Sequence, residues 1–483
     1  MARYHLPALT LAALLTGCNL APDYHPPLVQ VPATYKEVGP WRPAQPADAL
    51  PRTAWWQLFG DDTLNGLETQ IDAANPDLAA SVAHYDQSRA LAAEAEAGLS
   101  PQVTLGASLS ANWQSKDRPL RGSSQPSFYG SNQIDAQAGY EIDFWGKLHN
   151  EAAIGTDQAQ ASAADLATTR LSLEAELATD YLTLRGLDAQ ARLLADTVGA
   201  YQKALDLTRA RFEGKIASSL DVSRAQTQLD TARAQASDIA ARRALLEHAI
   251  AALVGKPAGD FSLAAQIIPF KLPDIPAGVP ADLLQRRPDI AAAERAVGAA
   301  NAGIGVARAA FYPSVSLNLL GGTQSTNLNL FSMANSFWSI GPDVSLPIFT
   351  GGLLDAGESA AYAQFREAGA QYRSVVLGAV QQVEDDAAQL HWLGQESTDE
   401  EAGVAAAQHT LDVALTLYRQ GADSYLEVVT AQTALLQAQQ AALDLRTRRQ
   451  LADIGLIRAL GGGWSAADLP SDVAAAELSA DTL

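Results

Sequence analysis

The chain has 483 residues, a formal net charge of −21 and one cysteine. The excess of acidic residues argues against a nucleic-acid-binding protein, which needs clustered cations, and one cysteine excludes an intrachain disulfide. Hydrophobic residues make up 48% of the chain and aromatic residues only 7%; much of the apolar share is alanine, which favours helices and buries little area, so we expect long, closely packed helices.

The first residues have the pattern of a secretory leader. Arg3 precedes a short apolar run over residues 6–15, and Leu-Thr-Gly leads to Cys18. The run is too short to span a bilayer as a helix, which takes about 20 residues. The pattern resembles the bacterial lipoprotein signal. This resemblance predicts that residues 1–17 are removed, that Cys18 is lipidated, and that Asn19 directs the protein to the outer membrane. Apart from this covalent lipid, we expect no cofactor.

Residues 18–60 are rich in proline and in aromatic residues, which is typical of an extended segment. The next stretch predicts a helix from about Asp62 to Gly98, capped by Asp61 or Asp62 and ended by Gly98. No later run of about 20 apolar residues predicts a transmembrane helix.

Two segments then change to an alternating pattern. Residues 101–113 alternate apolar and polar positions, and residues 134–144 alternate apolar positions with acidic and other polar ones. Such alternation predicts two strands with one apolar face each. An apolar face opposite a polar, acidic face suits a strand that lies between lipid and a water-filled lumen. We interpret residues 101–145 as a β-hairpin of this kind.

The remaining chain predicts the same elements twice. A long helix over about 146–211, a turn near Gly214 and a helix over about 219–254 complete a first structural repeat, residues 61–260. A Pro-rich linker, 261–280, leads to a second repeat, 281–463. The second repeat has a helix over about 281–310, a hairpin at 313–349, a long helix to about Tyr418, a turn at Gly421 and a helix over about 424–460, and an acidic tail follows at 464–483.

The strand count predicts an assembly of several chains. Four strands cannot close a barrel, which takes about eight, and open strand edges in lipid cost several kcal/mol per unsatisfied group. Two chains would supply eight strands, and a barrel of that size is normally filled by side chains, whereas three chains would supply twelve strands and leave a wide lumen. The fold class predicted from the residues is therefore mainly α with some β: a β-barrel shared between two or three chains and joined to long helices, the longest of which span about 100 Å each.

Specific motifs then identify a family. Residues 21–24 (Ala-Pro-Asp-Tyr) with Pro26 and Pro27, residues 283–290 (Leu-Leu-Gln-Arg-Arg-Pro-Asp-Ile) and residues 304–313 (Ile-Gly-Val-Ala-Arg-Ala-Ala-Phe-Tyr-Pro) resemble the outer-membrane efflux lipoproteins, the OprM and NodT branch of the TolC-like family. The resemblance covers about residues 15–465. It implies a homotrimer in the bacterial outer membrane, with a 12-stranded β-barrel to which each chain gives four strands and a long periplasmic α-helical barrel that continues it. It also implies that this trimer is a passive exit duct for small molecules such as drugs. It also implies two partners: a periplasmic adaptor (membrane fusion protein) and an inner-membrane transporter of the RND type.

The same resemblance gives roles to the two turns between helices. They become the periplasmic tips, which dock the adaptor and close the pore. The glycines at 214 and 421 suit left-handed positions, Ser219 and Ser424 suit N-caps, and the first turn has one more residue between its glycine and Leu-Asp-Val than the second has before Leu-Glu-Val. The predicted constriction consists of Tyr418, Asp423, Leu426 and Glu427, and the predicted docking residues are Arg211, Gly214, Leu220, Asp221, Gly421 and Tyr425.

Other candidate sites predict no chemistry. We interpret Arg286, Arg287 and Asp289 as fold-stabilising, with a Pro-Asp N-cap at a helix start. The seven histidines form no ligand-spaced cluster, so we expect no metal site, and no reactive constellation predicts an enzyme. One alternative, an exit duct for type I secretion, has the same scaffold and stays open. The alternating strands and the duplication count against a lipidated periplasmic adaptor, and the lack of a reactive constellation counts against a periplasmic enzyme. In the pore that the family resemblance implies, acidic residues at the periplasmic tip would attract cations.

Overall fold

The computed structural model describes residues 19–36, 54–119, 122, 124–273, 275 and 280–470. The predicted leader, Cys18 and most of the acidic tail lie outside these ranges. Within them, a four-stranded sheet lies at one end of a set of long helices. None of the helices in these ranges has the length and hydropathy needed to cross a membrane. The predicted mainly helical fold with four strands is confirmed.

The elements follow the predicted order in both halves of the chain. The first half contains α1 (Asp62–Ala74), α2 (Pro76–Ala97), β1 (Gln102–Trp113), β2 (Phe128–Glu141), α3 (Lys147–Glu213) and α4 (Ser219–Leu253). The second half contains α5 (Leu283–Arg286), α6 (Pro288–Ala309), β3 (Ser314–Ser325), β4 (Ser336–Ser345), α7 (Leu353–Gln420) and α8 (Tyr425–Ala459).

Two predicted helices are interrupted by proline. The helix expected over 62–98 breaks at Asn75, whose side chain caps α2 by accepting a hydrogen bond from the backbone N–H of Leu78 at 2.9 Å. The helix expected over 281–310 breaks at Arg287 in the same way. In each case the next residue is proline at the first helical position, which disfavours helical backbone in the residue before it. The second strand also differs from the prediction, because it runs over 128–141 and not 134–144.

Several helices of the two halves match in length, although α1 has 13 residues and α5 only 4. Helices α2 and α6 both have 22 residues and begin with proline, and α4 and α8 both have 35 residues. The long helices have 67 and 68 residues. Lys147 and Leu353, which begin α3 and α7, are 206 residues apart, and so are Ser219 and Tyr425, which begin α4 and α8. This offset relates the part of each repeat that consists of the long helix, the turn and the helix after the turn.

The shorter helices stack end to end beside the long ones. At the end of α4, the carbonyl of Leu253 accepts a hydrogen bond from Asn75 Nδ2 at 2.8 Å, just before α2. At the end of α8, the carbonyl of Ala459 accepts one from Arg287 Nη1 at 2.9 Å, just before α6. Arg287 also pairs with Asp289 at 2.6 Å. These contacts fit the fold-stabilising role expected for Arg287, but Asp289 is the second helical residue and not the N-cap.

The sheet is antiparallel throughout, with strand order β1-β2-β3-β4. Its outer strands, β1 and β4, each have one edge without a partner strand within the described chain. The apolar positions of the alternating pattern are widely exposed, for example Leu105 at 79% and Trp338 at 76%. An exposed apolar face and two open edges are not stable in water on their own.

An N-terminal segment, residues 19–36, ties the sheet end of the molecule to the helices. Asn19 lies against Gly146 and accepts a hydrogen bond from Asn150 Nδ2 at 2.9 Å. Further along, the Tyr24 hydroxyl donates to Glu294 Oε1 at 2.9 Å, and the Lys36 backbone N–H donates to Glu384 at 2.7 Å. The segment therefore begins beside the junction of sheet and helices and ends on α7.

Candidate functional site at the helical tips

The turns α3–α4 and α7–α8 lie side by side at the end of the helices that is remote from the sheet. The guanidinium of Arg211, in the last turn of α3, donates a hydrogen bond of 2.8 Å to the carbonyl of Tyr418, near the end of α7. With 67 and 68 residues in these helices, the tips are about 100 Å from the sheet.

The two turns have the same backbone geometry, which the prediction missed. Gly214 has a φ of −75°, and the left-handed residue of the first turn is Lys215, with a φ of 60°. In the second turn Gly421 holds that position, with a φ of 74°. Lys215 and Gly421 are 206 residues apart and hold equivalent positions, so the expectation that Gly214 is left-handed is wrong. The extra residue that the sequence has between Gly214 and Leu-Asp-Val is there because this glycine precedes the left-handed position by one residue.

Replacing Lys215 with glycine is expected to stabilise the first tip. A residue with a side chain at this φ is disfavoured by about 1 kcal/mol relative to glycine, so Lys215→Gly should raise the midpoint of urea unfolding. Gly421→Ala is the matched opposite change and should lower it. An unchanged or lower midpoint for Lys215→Gly would show that the side chain makes contacts worth more than the strain.

The helices that leave the turns start with different caps. Ser218, and not the predicted Ser219, is the N-cap of α4, and it forms a capping box with Asp221: its hydroxyl accepts from the Asp221 N–H at 3.2 Å, and the Asp221 carboxylate accepts from the Ser218 N–H at 3.1 Å. Ser424 is the N-cap of α8 but makes no side-chain capping bond. Its backbone N–H donates to Asp423 at 2.7 Å.

Tyrosines from three helices form the core of the tip. The rings of Tyr418 and Tyr425 are 5.2 Å apart and only 5% and 2% of these residues are exposed. Tyr201 on α3 packs in the same cluster, and its hydroxyl donates to the carbonyl of Gln432 at 3.2 Å. Burial raises the pKa of Tyr425 to about 12. The structure thus places Tyr418 and Tyr425 inside one chain's tip, where an adaptor would not reach them.

Arg211 joins the two tips at two points. Its guanidinium carbon lies 4.5 Å from the centre of the Tyr418 ring, in addition to the hydrogen bond to the Tyr418 carbonyl. A guanidinium over an aromatic ring is attracted by the ring quadrupole, and a charged donor strengthens a hydrogen bond. The arrangement holds the α3–α4 turn against the α7–α8 turn.

The remaining predicted residues lie on the surface of the tips. Asp423, Leu426 and Glu427 are exposed on the second tip, Gly214 and Leu220 are exposed on the first, and Gly421 is exposed as well, while Asp221 is half-buried in its capping box. Sequence reasoning missed Phe212 and Ile216, which are 46% and 71% exposed beside Leu220. Apolar residues in a turn between two helices were the available signal for them.

A groove of about 540 Å³ runs up from the tips between α3, α7 and α8. Tyr201, Tyr418 and Tyr425 lie along it with leucines of all three helices. The Tyr418 hydroxyl is buried and has no hydrogen-bond partner among the described residues. Sequence reasoning did not predict this groove. Among the described residues, no group of three or more His, Cys, Asp and Glu side chains could hold a metal ion, and the predicted lipidation site, Cys18, lies outside them.

Comparison with known proteins finds one family along most of the chain. The family model described as "Outer membrane efflux protein" matches residues 68–256 and 279–462. The chain is 33% identical to the probable efflux pump outer membrane protein TtgC of Pseudomonas putida, covering 94% of both chains. It is 31% identical to the cation efflux system protein CusC of Escherichia coli, covering 94% of this chain and 97% of the relative.

A solved structure has the same fold. A membrane protein from Pseudomonas aeruginosa superposes with a TM-score of 0.85 at 28% identity, over 92% of this chain and 100% of that one. The similarity therefore extends over most of the chain.

Proposed function

The chain belongs to the outer membrane efflux protein family, and we propose on that premise that it is the outer-membrane channel of a tripartite efflux pump, a passive exit duct for small molecules. The observation that carries the proposal is that one chain joins a sheet with an exposed apolar face, of the kind that suits lipid, to helices about 100 Å long. This shape suits a duct that leaves the membrane and reaches far into the periplasm.

A homotrimer would satisfy the open edges of the sheet. The free edges of β1 and β4 can pair between neighbouring copies, and three copies then give a closed barrel of twelve strands. The exposed apolar positions, such as Leu105 and Trp338, would face lipid, and the polar positions on the other face, such as Asp135, would line the lumen. Each chain alone leaves both requirements unmet.

A lipid on Cys18 would reinforce the attachment to the outer membrane. Residue 19 lies against Gly146, next to Trp145, where sheet and helices meet. Trp145 stacks on Tyr312 at 4.6 Å and donates to the Pro313 carbonyl at 2.8 Å. Aromatic residues are typical of the level where a barrel leaves the hydrocarbon region. Acyl chains on the preceding residue would enter the bilayer from this level.

The helical tips would form a gate that is closed at rest. In a trimer, Asp423 and Glu427 would be repeated three times around the pore, and such a ring attracts cations and repels itself. Engagement of a periplasmic adaptor with the exposed surface around Leu220, Phe212 and Ile216 would then open the tips. The pump itself, an inner-membrane transporter of the RND type, would supply the energy.

The names of relatives indicate a range of cargoes, including toluene and pyoverdine exporters and a cation efflux protein. Drugs and other small molecules are therefore the cargo we propose. Type I secretion is a second candidate with the same scaffold, while an adaptor role is disfavoured because an adaptor would not need a sheet with an exposed apolar face.

Conductance in planar bilayers, with the mass of the same detergent-solubilised sample, tests the proposal. We expect a trimer with a small, cation-selective conductance. Glu427→Gln and Asp423→Asn should each lower the cation selectivity and raise the conductance, because they remove charges that crowd the tip. Asp117→Asn, in the loop between β1 and β2, makes the same charge change at the other end and should alter neither. A monomer without conductance would refute the channel.

A further inference from the structure

Within the described ranges of the chain, the order of the helices leaves two of them with a side on which no other helix packs. Helix α3 packs on α4 and α8, and α8 packs on α7. The four helices that reach the tips therefore lie side by side in the order α4, α3, α8, α7. Helices α4 and α7 are the outer two. Each carries a large apolar side chain on its free side: Leu245 on α4 is 68% exposed, and Trp392 on α7 is 61% exposed.

The internal repeat relates these free sides to a contact that the structure contains. The offset of 206 residues maps α3 onto α7, and α4 onto α8. The contact between α3 and α8 within the chain therefore has a counterpart, the contact between α7 and the α4 of a second copy. This counterpart would join neighbouring copies wherever three copies form the proposed trimer.

The register of the α3–α8 contact is well defined. A Cβ atom at Gly186 on α3 would come within 2.3 Å of Thr447 Oγ1 on α8, and the Tyr201 hydroxyl bonds the Gln432 carbonyl. In both contacts the two residue numbers total 633, as expected for antiparallel helices in constant register. The offset adds 206 to each residue number of α3 to give α7, and subtracts 206 from each number of α8 to give α4. Residues that face each other between α7 and the second copy's α4 should therefore also total 633.

We propose that α7 packs antiparallel on α4 of a second copy in this register, with Trp392 as the anchor of the interface. Trp392 is the counterpart of Gly186, and it faces Ala241 of the second copy, the counterpart of Thr447. The indole of Trp392 thus stands where the α3–α8 contact has Gly186, and Ala241 stands where that contact has the larger Thr447. The exchange keeps room for the ring between the two helices.

The neighbouring positions are complementary in the same register. Leu245 of the second copy lies opposite Ala388, so a large side chain again meets a small one. Glu400 lies opposite Arg233 of the second copy, and Asp385 lies opposite His248. Arg233 and His248 are on the exposed side of α4, although Arg233 also donates to Gln202 at 3.1 Å. Beside Trp392, a groove of about 510 Å³ bordered by Asp386 and Glu396 is open in the single chain.

The proposal rests on the proposed trimer but fixes something the trimer alone does not, namely which residues meet. Any trimer would bury the free sides of α4 and α7. Only the repeat sets their register, and a shift by one helical turn would place Trp392 opposite a different residue. An aromatic anchor that fills a pocket on its partner is a typical centre of binding energy.

Engineered cysteines test the register in the full-length, detergent-solubilised protein. In the variant Glu396→Cys with Ser237→Cys, the two positions total 633, and a short thiol cross-linker should give a covalent trimer on a denaturing gel. The control, Glu396→Cys with Ala244→Cys, moves one cysteine by two helical turns, about 10 Å, and should stay unlinked. The wild-type protein, with its single Cys18, provides the blank.

The outcomes separate the register from the function. A sample that is trimeric by mass but links only the control pair would overturn the register and leave the channel intact. A monomeric sample would overturn both. Trp392→Ala should shorten the lifetime of the trimer in warm denaturing detergent at least tenfold, and Trp392→Phe should restore most of it. Equal lifetimes of Trp392→Ala and wild type would refute the anchor.

Discussion

Replacing Arg211 with alanine is expected to raise the channel's open fraction about tenfold or more. The change removes the cation–π contact with the Tyr418 ring, worth about 1 kcal/mol, and a charged hydrogen bond to the Tyr418 carbonyl, worth about 1.5 kcal/mol. A tenfold shift needs about 1.4 kcal/mol. Three copies of the tie act on one pore, so the effect on the trimer is larger than on one chain. Single-channel recordings of wild type and Arg211→Ala measure it directly.

Arg209→Ala is the matched control for this measurement. Arg209 is two residues away on the same helix, is exposed, and donates to Gln226 on α4 at 2.8 Å. It therefore ties α3 to its own hairpin partner and not to the second tip. Unchanged conductance in Arg209→Ala with a large rise in Arg211→Ala would assign the effect to the link between the tips. Equal conductance in all three proteins would show that the link does not hold the gate closed.

Most elements could be predicted because their signals are local and periodic. The alternation in β1 and the uninterrupted, alanine-rich patterns of α3 and α7 are properties of neighbouring residues, and the repeat supports each prediction a second time. The breaks at Asn75 and Arg287 also had a local signal, since proline follows both residues, but the helical pattern continues on both sides of each break and looks like one continuous helix in the sequence. End-to-end packing is decided by Leu253 and Ala459, which lie far away in the chain.

The tip shows where a familiar local signal misleads. Glycine at 214 suggested the left-handed position, but Lys215 occupies it, as Gly421 does in the second turn. The predicted docking residue Tyr425 is buried because it packs on Tyr418 and Val428 from both sides of the turn. The partner of Arg211 is 207 residues away, so no spacing rule could have paired them.

A buried acidic pair near the middle of α3 has no signal in the sequence. Glu68 on α1 is 1% exposed, and neither of its carboxylate oxygens has a hydrogen-bond partner in the part of the chain that the structure describes. Glu174 on α3 is also buried and accepts a hydrogen bond from Trp55 Nε1 at 3.0 Å. Burial, together with the nearby negative charges of Glu174 and Asp72, raises the pKa of Glu68 to about 10, and burial raises that of Glu174 to about 7.

Glu68→Gln is expected to stabilise the protein at alkaline pH. The unfolded chain loses the Glu68 proton above about pH 4.5, and the folded chain keeps it to about pH 10. Stability therefore falls as the pH rises through this window, by up to about 1.4 kcal/mol per pH unit, and glutamine has no proton to lose. We expect Glu68→Gln to raise the free energy of unfolding by roughly 2–4 kcal/mol at pH 8.

Urea-unfolding midpoints at pH 6 and pH 9 measure this gain in stability, with Glu94→Gln on the exposed side of α2 as control. If wild type and Glu68→Gln lost stability in parallel, Glu68 would already be ionised in the folded protein.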